Sequence, residues 1–400
     1  MQNTTISLQI LGAALLLAPF TSSQAQSTWQ TVDALIPWQG RAMVADSAGR
    51  FVSLAIDDST SSTGPVSTAV SLSTDAGASW QTVGSIAGYA LKLTATPDGT
   101  LYASGNRSAT VSGQAFIWSS SDLGATWTVS NPWAGQSGQF LVLDLAAGNS
   151  GAVYIAGYII AGGTVIVLKG QPTGTGGIAW GIVDRVTGIQ PQSICVRPGL
   201  ATQPDEIVVC GAMLGNNWAV RRSSDGGTTW VTVDSNSLGW AYGVVAGTNF
   251  DIYAIGKSTE SVTVTNVVTN LVHHQTVVST NYTTTNQPIW LVRKSANDGA
   301  TWSNVDSVVN GTPAPGSSLM IDTFGRVFAL GSLNSTWLVR ASTDAGATWI
   351  NTDAFLPLGY TNSQAVCAAC GASGNICVVG FARNGTPSAD LAPIRRLATP

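Results

Sequence analysis

A polar octet of the pattern Ser-x-Asp-x-Gly-x-Ser/Thr-Trp recurs along this 400-residue chain and constrains its fold more than any other feature. Copies occupy residues 73–80, 120–127, 223–230, 295–302 and 342–349, the fourth with asparagine in the aspartate position. Each copy follows an apolar run and precedes an alternating run, which is typical of a β-hairpin turn. The glycine supplies a positive φ, the aspartate accepts hydrogen bonds within its own turn, and the tryptophan begins the next strand. The repeat therefore predicts an all-β chain.

A second hairpin recurs between the octets and sets the repeat unit. It has the form of Leu319–Ile321, a turn and Val327–Gly331, and copies of its second strand occupy residues 101–105, 153–157, 207–211, 252–256 and 376–380. With the strands that flank each octet, it gives four strands in about 50 residues, the period of a propeller blade. A degenerate octet ends at Trp180, and residues 27–32 and 394–396 match the two halves of a further unit. We predict a seven-bladed β-propeller of four-stranded blades, closed by pairing of the N- and C-terminal strands.

The octets resemble the Asp-box, or bacterial neuraminidase repeat, of the sialidase-like β-propeller superfamily. The residues that match its defining positions are Asp75 and Trp80, Asp122 and Trp127, Asp225 and Trp230, Asn297 and Trp302, and Asp344 and Trp349. This superfamily includes sialidases, sortilin-type receptors, xyloglucan-hydrolysing propellers and photosystem II assembly factors. The resemblance therefore implies the propeller fold and leaves the activity open.

Composition and the N-terminal segment predict an exported protein. Hydrophobic residues make up 44% of the chain, charged residues 10%, and the net charge is −4, which provides no basic field for nucleic acid. Residues 1–25 contain an apolar run followed by Ser23-Gln24-Ala25, as in a secretory signal peptide, although the run is not preceded by Lys or Arg. Residues 26–400 then form one propeller. No later stretch is apolar enough for a membrane span, and we expect a monomer that is secreted or periplasmic.

Five cysteines allow two disulfides and one free thiol in an exported chain. The sequence does not decide the pairing among Cys195, Cys210, Cys367, Cys370 and Cys377. The Cys-x-x-Cys at residues 367–370 lies on a predicted strand, without a helix start or further ligands beside it. We therefore expect no redox site, no metal and no cofactor.

Blade topology separates two faces of the ring. The octet turns and the turns between first and second strands share one face, which we call the octet face. Links between blades and turns between second and third strands form the opposite face, where propellers usually bind ligands. Its candidate ligand-binding residues are Trp38, Tyr89, Trp133, Trp240 and Tyr360 in the links, and Arg107, Tyr158 and Arg383 in the turns. Aromatic rings beside arginines and carboxylates suit a sugar or a peptide; plugging of the blade junctions is the alternative role for the aromatic rings.

Residues 257–287 exceed the length of the other blades at the same turn and predict a long inserted hairpin. His273 and His274 lie near its tip and are further ligand-binding candidates. Metal or proton chemistry would need more ligands than this segment supplies, so exposed tip residues are the alternative. We expect the hairpin to bind a partner, because insertions in repeat folds collect on the binding face.

A Trp-x-Val-Arg motif occurs on the strand before three octets, at residues 218–221, 290–293 and 337–340. We expect its arginines to cover apolar strand surface with their stems. A patch of arginines on one side of the ring is the alternative.

The sequence favours binding over catalysis. Sialidases of similar fold use an arginine triad, a Tyr–Glu pair and an Arg-Ile-Pro motif, whereas Leu35-Ile36-Pro37 lacks the arginine and the chain has two glutamates, Glu206 and Glu260. A hydrolase would need two carboxylates roughly 5–10 Å apart, for which the candidates are Asp57 and Asp58, with Asp33, Asp184 and Asp306 as further possibilities. We predict a propeller that binds a glycan or protein ligand on the opposite face without catalysis. The alternatives are an aspartate-dependent glycoside hydrolase and a cell-envelope assembly scaffold.

Overall fold

A computed structural model describes residues 28–57, 67–106, 115–160, 163–173, 177–198, 202–213, 217–236, 239–272, 275–315, 318–386 and 390–397. The predicted signal peptide and four candidate residues, Asp58, Arg107, His273 and His274, lie outside these ranges. The described residues form β-strands and turns, and they include no helix suited to crossing a membrane.

The strands form seven antiparallel sheets, the blades of the ring. Blade 1 has β2 (Trp38–Ala45), β3 (Phe51–Asp57), β4 (Ser67–Ser73) and β5 (Gln81–Ala87). Blade 2 has β6 (Tyr89–Ala95), β7 (Leu101–Asn106), β8 (Ala115–Ser120) and β9 (Thr128–Ser130). Blade 3 has β10 (Phe140–Ala147), β11 (Val153–Ile159), β12 (Thr164–Thr173) and β13 (Gly177–Thr187). Blade 4 has β14 (Ile189–Val196), β15 (Ile207–Met213), β16 (Asn217–Ser223) and β17 (Val231–Asn236).

Blade 5 has β18 (Trp240–Ala246), β19 (Ile252–Val272), β20 (Gln275–Ser295) and β21 (Ser303–Val309). In blade 6 the inner strand is interrupted: β22 (Gly311–Pro313) and β23 (Leu319–Ile321) both pair with β24 (Val327–Leu333), which is followed by β25 (Thr336–Ser342) and β26 (Ile350–Phe355). Blade 7 has β27 (Asn362–Cys370), β28 (Ile376–Arg383), β29 (Ala392–Leu397) and the N-terminal β1 (Trp29–Leu35).

The two chain ends close the ring. Strand β1 pairs antiparallel with β29, from Trp29 opposite Leu397 to Leu35 opposite Ala392. The inner strands β2, β6, β10, β14, β18, β23 and β27 contact one another in this order, and β27 contacts β2. The predicted seven-bladed propeller with paired terminal strands is therefore confirmed.

The core lies between the blades, which explains the composition of the strands. The second strands β3 and β15 are buried along nearly their whole length, because a neighbouring blade packs on each of their faces. In the outer strands β5 and β13 nearly all positions are exposed or half-buried. Apolar clusters join residues of adjacent blades, as where Leu54 of blade 1 packs with Leu101 of blade 2.

A glycine near the end of most second strands permits close approach to the inner strand. A Cβ on Gly105 would lie 1.8 Å from the carbonyl oxygen of Tyr89, and one on Gly380 would lie 2.0 Å from that of Gln364. The ring of Trp337 also packs 2.5 Å from the Cβ position of Gly380. The repeated glycine of the second hairpin is therefore a packing requirement.

Each octet forms a turn that satisfies its own polar groups. In residues 342–349 the Ser342 hydroxyl donates to Asp344 Oδ1 (2.8 Å) and accepts from the Gly346 N–H (2.8 Å), while Asp344 accepts from the Thr348 N–H (2.8 Å) and hydroxyl (2.6 Å). Two consecutive residues, Ala345 and Gly346, have positive φ. The hydroxyl four positions on lowers the pKa of each octet aspartate, Asp75, Asp122, Asp225 and Asp344, to about 2.

Candidate functional site

Four arginines of the third strands form bidentate ion pairs with aspartates on the outer strand of the preceding blade. The N–O distances lie between 2.6 and 3.1 Å, and the side chains are mostly buried. The pairs are Arg221–Asp184, Arg293–Asp234, Arg340–Asp306 and Arg395–Asp353. Charged bidentate bonds of this kind fix geometry strongly, so these pairs join blades 3 to 7 into a continuous ladder.

This ladder corrects two expectations from the sequence. The arginines of the Trp-x-Val-Arg motif are ion-pair partners and do more than cover apolar surface. Asp184 and Asp306, considered as possible catalytic carboxylates, lie on the outer strands of blades 3 and 5 and are each held by an arginine. The signal was present in the sequence, because each ladder aspartate stands four residues after a tryptophan, as in Trp230 and Asp234.

Asp33 stands four residues after Trp29 and so occupies the same position in blade 7. The adjacent third strand of blade 1 carries Ser71 where the ladder has arginine. Asp33 Oδ1 accepts from the N–H of its neighbour Ala34 (2.9 Å).

Trp133 is a structural residue at the junction of blades 2 and 3. It is 7% exposed, stacks on Phe140 with ring centroids 4.9 Å apart, and donates its indole N–H to the carbonyl oxygen of Gly138 (3.1 Å). Trp133 therefore fills a blade junction, the alternative role considered for the aromatic candidates.

The other aromatic candidates are half-buried at the opposite face. Trp38, Tyr89 and Trp240 begin the inner strands of blades 1, 2 and 5, Tyr360 precedes that of blade 7, and Tyr158 lies near the end of β11. Asp57 ends β3 directly opposite Trp38. These residues lie at the opposite-face ends of their strands and are distributed over several blades.

A polar network joins blades 1 and 7 at the same face. Gln39, which is fully buried, donates from Nε2 to Asp390 Oδ2 (2.7 Å). Its Oε1 accepts from Arg41 Nη2 (2.6 Å) and from Arg383 Nη2 (2.7 Å). Arg383 also lies 3.5 Å from Asp390 and 4.7 Å from the ring centroid of Phe381, and its side chain is 42% exposed. Of the predicted candidates, the structure places Arg383 in a cluster. Gln39 was missed because its contacts with Asp390 and Arg383 span more than 340 positions in the chain, and Arg41 and Asp390 both contact Gln39.

The middle of the ring carries two further charged groups. Lys92 of blade 2 donates to the carbonyl oxygen of Pro315 in blade 6 (3.3 Å) and so reaches across the centre of the ring. Asp144 of blade 3 is buried and accepts from the N–H groups of Leu145 (3.0 Å) and Ile194 (3.1 Å). Burial raises the pKa of Asp144. These bonds tie Asp144 to blade 4.

Glu206 lies on the octet face, as its position in the sequence suggests. It pairs with Arg197 (3.0 Å) and Arg222 (2.8 Å), and the same two arginines reach Asp298 of the fourth octet at 2.6 and 3.2 Å. This carboxylate is therefore engaged in a structural network at the junction of blades 4 and 5.

All five cysteines are thiols in the structure. Cys195 lies opposite Val208 and Cys210 opposite Ser193, so the two are diagonal neighbours on adjacent strands. Burial raises the pKa of Cys195 to about 12. Within the described ranges no group of three or more His, Cys, Asp and Glu residues is placed to hold a metal ion.

Comparison with known proteins identifies the fold. No protein-family model matches this chain, and no curated protein matches it. Among solved structures, the polysaccharide lyase Uly1 is 7% identical, with a TM-score of 0.50 over 90% of this chain and 89% of that one. An α-L-arabinanase of Penicillium chrysogenum, complexed with arabinobiose, is 13% identical, with a TM-score of 0.46 over 92% and 97%. The sialidase of Trypanosoma rangeli is 14% identical, with a TM-score of 0.45 over 90% of this chain and 55% of that one. At these identities the likeness concerns the fold alone, a seven-bladed β-propeller.

Proposed function

We propose that this chain is an exported Asp-box propeller that binds a glycan on its opposite face without catalysing a reaction. Export is inferred from the signal-peptide pattern of residues 1–25. The Asp-box assignment rests on the octet sequences and on their shared turn geometry. A glycan ligand is also consistent with the polysaccharide lyase Uly1, which shares this fold. The fold alone does not decide function.

The network of Gln39, Arg41, Arg383 and Asp390 carries the proposal. It fixes hydrogen-bond donors and acceptors from two blades within one small region, and Arg383 remains partly exposed above the ring of Phe381. Sugar hydroxyls are bound by such pre-positioned polar groups, with an aromatic or apolar surface beside them. The ring of Phe381, 4.7 Å from the Arg383 guanidinium, supplies the aromatic surface of this region.

Absence of catalysis is inferred from the roles of the carboxylates. A glycoside hydrolase places two carboxyl groups on either side of the bond that it cleaves. Asp184 and Asp306 are held in ion pairs on separate blades, Glu206 pairs with two arginines, and Asp390 accepts from Gln39. Asp57 stands beside Asp58, which lies outside the described residues. These two aspartates are therefore the ones to test for the alternative of hydrolysis.

A glycan array combined with a reducing-sugar release assay tests the proposal. We expect binding without release, and about a tenfold or greater loss of affinity in Arg383→Ala, because its guanidinium donates at the network's exposed edge. Arg50→Ala is the matched control: Arg50 also pairs with an aspartate, Asp46, and is 36% exposed, but it lies on the octet face. Both variants are checked for an unchanged melting temperature.

Three results would overturn the proposal in different ways. Sugar release that Asp57→Asn or Asp58→Asn abolishes would show a hydrolase. Glycan binding that Arg383→Ala leaves intact would place the site elsewhere. The absence of both glycan binding and sugar release would favour a protein ligand or an assembly scaffold in the cell envelope.

A further inference from the structure

The octet face carries a cavity of about 550 Å³ that the proposed glycan site does not use. It lies where the inner strands of blades 4 to 7 end and the next turns begin. Its wall is mainly apolar and includes Val196, Val245, Met320, Ile321 and Ala368. The turns 247–251 and 322–326 border it. Its volume falls within the range of about 300–1,000 Å³ of small-molecule pockets.

Two exposed phenylalanines stand on the turns that border this cavity. Phe250 is 68% exposed and Phe324 is 67% exposed. The corresponding turns of blades 1, 2, 3 and 7 carry small or polar residues, such as Ser47 and Ala48 in blade 1 and Ser373 in blade 7. Among the described inner turns, the large exposed apolar side chains therefore stand on two turns that border this cavity, and exposed apolar surface is characteristic of a binding site.

The charged groups of the cavity wall are already neutralised within the protein. Asp251 pairs with Lys294 at 3.1 Å, and Lys294 also donates to the carbonyl oxygen of Ala345 (2.8 Å). The Asp322 side chain is fully buried and pairs with Arg326 at 2.5 Å. Among the described residues of its wall, the cavity therefore offers a charged ligand no unpaired counter-ion, and burial of a net charge there would be unfavourable.

We infer that this cavity binds a small, uncharged, largely apolar molecule. The apolar wall provides the contact area, and the exposed Phe250 and Phe324 stand on the turns that border it. A small molecule is favoured over a protein partner because the cavity has the volume of a small-molecule pocket, whereas a stable protein interface buries about 800 Å² on each side. The site is separate from the glycan site, since the two lie on different faces of the ring.

Titration with the neutral fluorophore N-phenyl-1-naphthylamine tests the inference. We expect saturable one-to-one binding and about a tenfold or greater loss of affinity in Thr248→Trp, in which an exposed turn residue of the cavity wall fills the entrance. Ser47→Trp is the matched control, because Ser47 is exposed at the same position of the blade 1 turn, away from the cavity. Thr323→Trp, at the equivalent position in blade 6, replaces Thr248→Trp if that variant does not fold.

Probe charge provides an independent measurement. 8-Anilinonaphthalene-1-sulfonate has the same ring skeleton with an added sulfonate, and we expect it to bind at least about tenfold more weakly than the neutral probe. The inference is wrong if the folded wild-type protein does not bind the neutral probe saturably, or if the cavity-filling variants bind it like Ser47→Trp. Tighter binding of the sulfonate would also overturn it. Arg383→Ala should leave this binding unchanged.

Discussion

Removal of one partner of the Arg293–Asp234 pair should destabilise the ring substantially. The guanidinium donates through Nε to Oδ2 (2.9 Å) and through Nη2 to Oδ1 (3.0 Å), and the two side chains are 10% and 6% exposed. Asp234→Ala leaves a mostly buried guanidinium without its counter-ion, which costs about 3–5 kcal/mol. Arg293→Met leaves the carboxylate unpaired at a similar cost. The double variant removes both charges, so its loss should be well below the sum of the single losses.

Asp33→Ala is the control for this double-mutant cycle. Asp33 has the same sequence position in β1, yet blade 1 offers Ser71 in place of the arginine, so its removal should cost less than about 1 kcal/mol. Guanidinium unfolding followed by tryptophan fluorescence measures all four variants against wild type. Equal midpoints for Asp234→Ala and Asp33→Ala, or strictly additive single losses, would refute the assignment of the ladder as a bond between blades.

Three further predictions concern acid, the inserted hairpin and sialidase activity. Octet hydroxyls lower the aspartate pKa from 3.8 to about 2, so these carboxylates stabilise the fold fully above pH 4 and lose that contribution towards pH 2. The melting temperature should therefore fall between pH 4 and pH 2. Asp344→Asn should make this fall smaller. Replacing residues 259–285 with Asn-Gly should leave the melting temperature nearly unchanged, because β18 and β21 pair with the hairpin strands only as far as Lys257 and Ile289; loss of folding would contradict this. The purified chain should release no sialic acid above a heat-killed control, because Leu35 stands where the sialidase motif has arginine; measurable release would overturn the assignment of the opposite face.

The blade architecture was predictable because its signals are local. Each octet closes its bonds within eight residues, so Ser342, Asp344 and Thr348 determine a turn wherever the chain places them. The recurrence of this turn, with the glycine of the second strand, sets the blade period. Even ring closure was visible, since the residues around Trp29 complete the unit that ends near Leu397.

The site depends on tertiary structure because its contacts join distant parts of the chain. Asp234 and Arg293 are 59 positions apart, and the repeated Trp-to-Asp spacing does not by itself identify the arginine with which each aspartate pairs. Gln39 meets Asp390 only after the ring closes and brings blade 1 against blade 7. The octet-face cavity likewise exists because four inner strands end around a common space. Local hydrogen bonding thus determined the repeated turn. The closing of the ring decided which side chains pack against a neighbouring blade, form an ion pair or line an open cavity.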